Sequence, residues 1–212
     1  MEADRSLSWI SLLLACLALA GCLGAPRSAN ETARYDFGPQ PVPSSDWGHI
    51  PVRHVDVKAP SWLDTPALQY RLLFADAARR QSYGGSRWTA PPAELVEASL
   101  RRQVIVRQDA SAKTGCSLRI ALDEMVHAFA GPQRSEGIVD LQASLAAPGG
   151  SRVLARKRFT GSAPAPTADA RGGVEAMSRA TAHVIEDIRQ WLLNLDRDGA
   201  AGLNIAEICS GA

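Results

Sequence analysis

A two-layer α+β domain is the fold class this sequence predicts, and three features predict it. Several short runs alternate apolar and polar residues, the period of half-buried strands. A Pro148-Gly149-Gly150 turn joins two of those runs as a hairpin. A long segment near the end repeats apolar residues at spacings of three and four, the pattern of an amphipathic helix. In chain order the elements read ββαβββα, a largely antiparallel sheet packed by two helices.

Two segments precede the domain. Trp9–Ala20 is an apolar run. It is too short for a permanent bilayer span, which needs about 20 residues, and it fits the apolar centre of a signal peptide. It ends in Leu19-Ala20-Gly21-Cys22, which resembles the lipobox of bacterial lipoproteins. Small residues before the cysteine admit a peptidase, and the Cys22 thiol would carry the diacylglycerol. Residues 1–21 are therefore read as a lipoprotein signal peptide, although Glu2 and Asp4 outnumber Arg5 where positive charge is usual. Leu23, and not Asp, follows the cysteine. By resemblance to the sorting rule of enteric bacteria, that places the protein at the periplasmic face of the outer membrane. Residues 22–48 then read as the lipidated cysteine and a tether. Pro26, Pro39, Pro41 and Pro43 forbid a continuous helix there, and only Tyr35-Asp36-Phe37 alternates well enough for a short edge strand.

The domain is expected over 49–196. Ile50–Val57 is rich in strand formers, and Leu68, Tyr70, Leu72 and Phe74 alternate with more polar neighbours. Between them Ala59–Pro66 is a connection fixed by two prolines. A Gly84-Gly85 loop leads to Pro91-Pro92, and the second proline opens a helix because its missing N–H would have had no partner in the first turn. Val96, Leu100 and Val104 share one face of that helix. Cys116, Leu118, Ile120 and Leu122 alternate, then slip near Asp123–Met125, which predicts a bulge. Val139–Leu145 and Val153–Phe159 form the hairpin. Val174, Met177, Thr181, Val184, Ile188, Trp191 and Leu195 mark the long closing helix. Residues 197–212 are read as a tail.

The composition narrows the function. Among 212 residues, 23 basic and 22 acidic side chains leave a net charge of +1, against the basic excess of a nucleic-acid binder, so no nucleic-acid partner is expected. Four cysteines are too few for a disulfide scaffold and lack zinc-site spacing. His49, His54, His127 and His183 are scattered, and no Gly-x-Ser-x-Gly elbow exists. No catalytic residue, metal ligand or cofactor is assigned. Asp196–Glu207 places carboxylates at the first, third and twelfth positions of a calcium loop. Ala200 and Ala201 stand where a ligand and a glycine are required, and no flanking helix pair is expected, so the segment reads as a polar helix stop.

The pieces together resemble the ABC-type transport auxiliary lipoproteins, the lipoprotein partners of paraquat-inducible and other MCE (mammalian-cell-entry) transport systems. The matching parts are the lipobox, Tyr35-Asp36-Phe37, Val55–Asp64, the Leu68–Arg71 strand, Arg87–Leu95 and the closing helix through Trp191-Leu192. The resemblance implies a non-enzymatic outer-membrane component of a machine that moves lipids between two membranes. It implies an MCE-domain protein as partner and the membrane as anchor. It leaves room for phospholipid contact and for homo-oligomerisation as a ring. An assembly or structural lipoprotein, pilotin-like or a partner of an outer-membrane barrel, is the alternative.

Three sets of residues have two readings each. Cys116 and Cys209 are the cysteines left after lipidation, and an oxidising compartment favours a bridge between them; the alternative is a buried Cys116 and a free Cys209. Trp62 and Trp88 lie in proline-bounded loops, as partner anchors or as a roof on the core. Arg152, Arg156, Lys157 and Arg158 form a basic arm, with Arg156 and Arg158 facing an acidic partner or lipid headgroups, or simply protecting an edge strand.

Overall fold

The computed structural model describes residues 32–39, 47–104, 114–150, 152–199 and 202–211. The expected signal peptide 1–21, Cys22 and most of the expected tether lie outside the described residues. The elements in order are β1 (Ala33–Tyr35), β2 (Val52–Lys58), β3 (Ala67–Leu72), α1 (Leu73–Asp76), β4 (Ala77–Trp88), α2 (Pro92–Gln103), β5 (Cys116–Gly131), β6 (Arg134–Ala146), β7 (Val153–Pro164), α3 (Ala170–Asp198) and α4 (Ile205–Ser210). The seven strands make one sheet in the order β1-β4-β3-β5-β6-β7, with β2 also on β5.

β5 organises the sheet. One of its edges pairs antiparallel with β6 from Ser117↔Ala146 to Gly131↔Arg134. Its other edge is shared end to end by two parallel strands. β2 takes Cys116–Ala121 and β3 takes His127–Phe129. The connection between β2 and β3 turns back on Pro60, whose carbonyl accepts the N–H groups of Leu63 and Asp64, and buries the Leu63 side chain. The slip in alternation that predicts a bulge falls where the β5–β6 register shifts, between Leu122 and Glu124.

α3 lies across β6 and β7 on one face. Val139, Leu141, Ala143 and Leu145 of β6 are fully buried beneath Met177, Ala180, Val184 and Ile188 of the helix. The approach is close because it is made over glycine. A Cβ on Gly137 would stand 2.5 Å from the Ala176 carbonyl carbon and 2.7 Å from Met177 Cα, and one on Gly161 would meet Ala180 O at 2.7 Å. Asp169 caps the helix by accepting the Gly172 N–H at 2.8 Å. α2 opens on Pro92 and runs along β2, where Glu97 accepts the Val57 N–H and Arg101 donates to the Val55 carbonyl. Side chains of α2 thus satisfy main-chain groups on the outer edge of β2.

Four differences from the sequence reading have physical causes. Ala33–Ala212 forms one compact unit, so the segment read as tether contributes β1, paired with Ser86–Trp88, and Phe37, packed edge-on against Trp88 at 5.7 Å. The segment read as tail contributes α4, capped by Asn204, so a helix does follow the Asp196–Glu207 stretch. Among the described residues no cluster of three metal-ligating side chains exists. Gly84-Gly85 lies within β4 rather than in a loop. The β3–β4 ladder jumps there from Gln69↔Ser82 to Ala67↔Arg87, and the glycines lie in the excess chain of that bulge. Phe74, expected at the end of a strand, is instead in the one-turn helix that reverses the chain. Arg71 donates to the Ala77 and Ala78 carbonyls and Asp76 accepts the Ala78 N–H, which holds the turn and leaves Phe74 half exposed.

Candidate partner-docking surface

The face of the sheet opposite α3 carries an exposed aromatic side chain, Trp62. Register fixes the facing: Gly137 touches the helix, so its neighbour Glu136 and the paired Ala128 and Arg71 point the other way. Arg80, opposite Arg71 across the β3–β4 ladder, shares that face. Its guanidinium lies 4.1 Å from the centre of the Trp62 ring, near enough for cation–π attraction.

The stack is held from beneath. Arg80 makes two hydrogen bonds to the Glu124 carboxylate, at 2.8 and 2.9 Å, and a third to Gln69 Oε1 at 2.7 Å. Arg71 reaches the same carboxylate at 3.3 Å. Gln69 Nε2 donates to the Trp62 carbonyl at 3.0 Å and so ties the loop to β3. The β5 bulge places Glu124 at this position, and the three charged side chains are each about one-fifth exposed. Forked pairing of that kind is directional and positions as well as attracts. Trp62 itself remains 45% exposed, and Leu73 and Phe74 in α1 are 41% and 51% exposed. A rigid aromatic over a pinned arginine, with two exposed apolar side chains on the same hairpin, has the composition of a protein-contact anchor.

The other expected residues fall elsewhere. Trp88 is 1% exposed and belongs to the core, so of the two tryptophans only Trp62 is presented. Arg158 pairs with Asp123 at 3.1 Å and Asp140 at 3.4 Å, and Arg156 donates to the Ser144 hydroxyl. These arginines are engaged within the sheet and are not part of the Trp62 surface. The sulfurs of Cys116 and Cys209 are bonded, with Cα atoms 4.9 Å apart and both side chains fully buried. This joins α4 to the start of β5. Sequence reasoning did not find Arg80, Arg71, Glu124, Leu73 or Phe74. The slip near Asp123–Met125 was the signal available for Glu124.

One buried titratable cluster lies on the opposite face. His127 has no exposed surface, its Nδ1 is 2.8 Å from the Tyr83 hydroxyl, and its Nε2 has no hydrogen-bond partner among the described residues. Gly173 of α3 sits on the ring, where a Cβ would be 2.6 Å from Cγ. Burial lowers the His127 pKa to about 4, only partly opposed by Asp169, and the same burial raises that of Tyr83. Both groups are neutral near pH 7, so the cluster acts as packing between sheet and helix.

The fold, then, is an open mixed sheet covered on one face by a long helix, with Trp62 stacked on Arg80 at the other face and Leu73 and Phe74 exposed in the β3–β4 turn. The chain belongs to the ABC-type transport auxiliary lipoprotein component family, whose model matches residues 36–189. Its fold is similar to the crystal structure of protein XCC0632 from Xanthomonas campestris, described under family model DUF330. That likeness has a TM-score of 0.65 at 20% identity and covers 78% of this chain and 97% of that one. A second crystal structure, of an uncharacterized protein, has a TM-score of 0.57 at 11% identity and covers 76% and 98% of the two chains. No curated protein matches the chain. No helix among the described residues is long and apolar enough to cross a membrane.

Proposed function

We propose that this auxiliary lipoprotein is a non-enzymatic docking subunit of an MCE-type ABC transport system that moves lipid between inner and outer membranes. Acyl chains on Cys22 hold it to the periplasmic face of the outer membrane, the following residues give reach, and the folded unit grips the transporter. The observation that carries the reading is the exposed Trp62, pinned on Arg80, with Leu73 and Phe74 also exposed in the turn between β3 and β4. Family membership supplies the kind of machine.

The test is a cross-linked pull-down from native membranes, with mass spectrometry of proteins and lipids in the eluate. An MCE-domain protein is expected, and its yield should fall on Trp62→Ala without loss of the folded state. A secretin or an outer-membrane barrel with no MCE protein would overturn the reading in favour of an assembly lipoprotein. The anchor is tested separately: Cys22→Ala should move the protein from membrane to soluble periplasmic fraction, and wild-type fractionation of that variant would refute lipidation.

A further inference from the structure

The sheet leaves one long edge unanswered beside the Trp62 anchor. β1 covers β4 only at Ser86–Trp88, so Ala77–Gly85 has no strand on that side among the described residues. Edges left open in this way invite another strand, and folded proteins usually cover or blunt them. The outer edge of β2 is answered by Glu97 and Arg101. β7 is also an edge strand, but its Arg156 and Arg158 are held by Ser144, Asp123 and Asp140.

The charges along β4 differ from those on β7. Arg79 and Arg87 are exposed and make no ion pair among the described residues. Arg34 of β1 stands in register beside Arg87, and like charges so placed repel unless a counter-charge comes between them. Arg80 and Arg71 share the single carboxylate of Glu124. Among the described residues, the carboxylates that act on β4 are Glu124, shared by Arg71 and Arg80, Asp76, engaged with the Ala78 N–H, and Asp169, which caps α3 and whose charge reaches Tyr83. A Cβ at Gly84 or Gly85 would meet nothing within 4 Å, so main chain can approach there. Leu73 and Phe74 stand exposed at the head of the edge.

We propose that Ala77–Gly85 of β4 receives an extended acidic segment of a protein partner by strand addition, with an apolar residue of that segment seated on Leu73 and Phe74. The sheet already uses this arrangement once: β2 and β3 lie end to end along one edge of β5, and the incoming segment would lie end to end with β1 along β4. Main-chain hydrogen bonds supply the pairing, and the arginines select the charge. A second copy of this chain offers the same edge an arginine-bearing strand, which its charge disfavours. The inference rests on the docking function proposed above and specifies where and how the partner is held.

The full chain in detergent is mixed with two short synthetic peptides, one alternating valine and glutamate and one alternating valine and lysine, and amide hydrogen exchange is followed by mass spectrometry. The glutamate peptide should slow exchange across Ala77–Gly85 and leave β7 unchanged. The double variant Arg79→Glu/Arg87→Glu should weaken that peptide about fivefold, as two exposed charge pairs would, and should bind the lysine peptide instead. Both side chains are exposed, and circular dichroism checks that the variant folds. Protection on β7 or nowhere, or equal response to both peptides, overturns the proposal. So does protection of Ala77–Gly85 before any peptide is added, together with a dimer mass in light scattering, which would assign the edge to a second copy. The pull-down reads partner identity independently: an MCE protein retained while the peptide test fails sinks the edge and keeps the function, and the reverse result does the opposite.

Discussion

Replacing Gly137 by alanine adds one methyl group at the place where α3 comes nearest the sheet. The new Cβ would stand 2.7 Å from Met177 Cα and 2.5 Å from the Ala176 carbonyl carbon, whereas carbon atoms pack at about 3.5–4.0 Å. The helix would therefore have to move away by roughly 1 Å at this point. It cannot yield by rotating a side chain, because the obstacle is helix backbone. Movement loosens Met177, Ala180 and Val184 against Val139 and Leu141, all of them fully or nearly fully buried. Overpacking of this kind costs about 1–3 kcal/mol, and the lower chain entropy of alanine returns roughly 0.4–1 kcal/mol. The net expectation is destabilisation of about 1 kcal/mol, or a fall in Tm of roughly 2–4 °C for a domain of this size. Thermal and urea unfolding followed by far-UV circular dichroism measure it. Gly131→Ala is the control, since its Cβ would meet nothing within 4 Å, and it should be neutral or slightly stabilising. A Gly137→Ala protein at least as stable as wild type would refute the close helix–sheet contact.

Two further outcomes follow from the core. The Cys116–Cys209 bridge spans 93 residues of sequence, and a closed loop of that length is credited with at most about 4–5 kcal/mol by chain entropy; Cys209→Ser should therefore lower the urea midpoint, and reductant should do the same to wild type but nothing to the variant. His127 has a folded pKa lowered to about 4 from 6.5, so the unfolded chain binds the extra proton first. Stability from this group is complete above pH 6.5, falls as pH drops through the window, and is fully lost below about 4, a change of roughly 3 kcal/mol. His127→Gln should flatten the stability–pH curve between those limits, and an unchanged slope in urea unfolding at several pH values would refute the assignment.

The elements legible in the sequence are those whose own residues carry the period. α3 buries Val174, Met177, Thr181, Val184 and Ile188 as the three-and-four spacing requires, and β5, β6 and β7 alternate because one face meets that helix. β4 is the counterexample. Ala77-Ala78-Arg79-Arg80-Gln81-Ser82-Tyr83-Gly84-Gly85 has no apolar alternation, since most of it faces solvent, and its extended form comes from pairing with β3 and, at its end, β1. α4 is similar: six residues are too short for a stable isolated helix, and a buried disulfide to β5 holds it. Periodicity reports burial, and where an element is ordered by pairing or by a covalent tie it has little to report.

The candidate site shows the same limit for charge. The sequence concentrates basic residues in Arg156, Lys157 and Arg158, and a single isolated segment gives no reason to look elsewhere. The β5 bulge reverses that ranking. It places Asp123 where Arg158 reaches it at 3.1 Å and Glu124 where Arg71 and Arg80 reach it, so one irregularity supplies carboxylates to both sides of the same sheet face. Asp140 of β6 adds a second carboxylate to Arg158, Ser144 accepts a hydrogen bond from Arg156 without opposing its charge, and Lys157 lies 5.2 Å from the Phe159 ring. Arg79 and Arg87, less conspicuous in the sequence, make no ion pair among the described residues; Arg79 lies on the stretch of β4 that β1 leaves open, and Arg87 on the stretch that it covers. Availability of charge is set by what faces each side chain across the sheet: within the densest basic run Arg158 meets two carboxylates and, among the described residues, Arg156 and Lys157 meet none, while Arg79 stands exposed on a sparser edge.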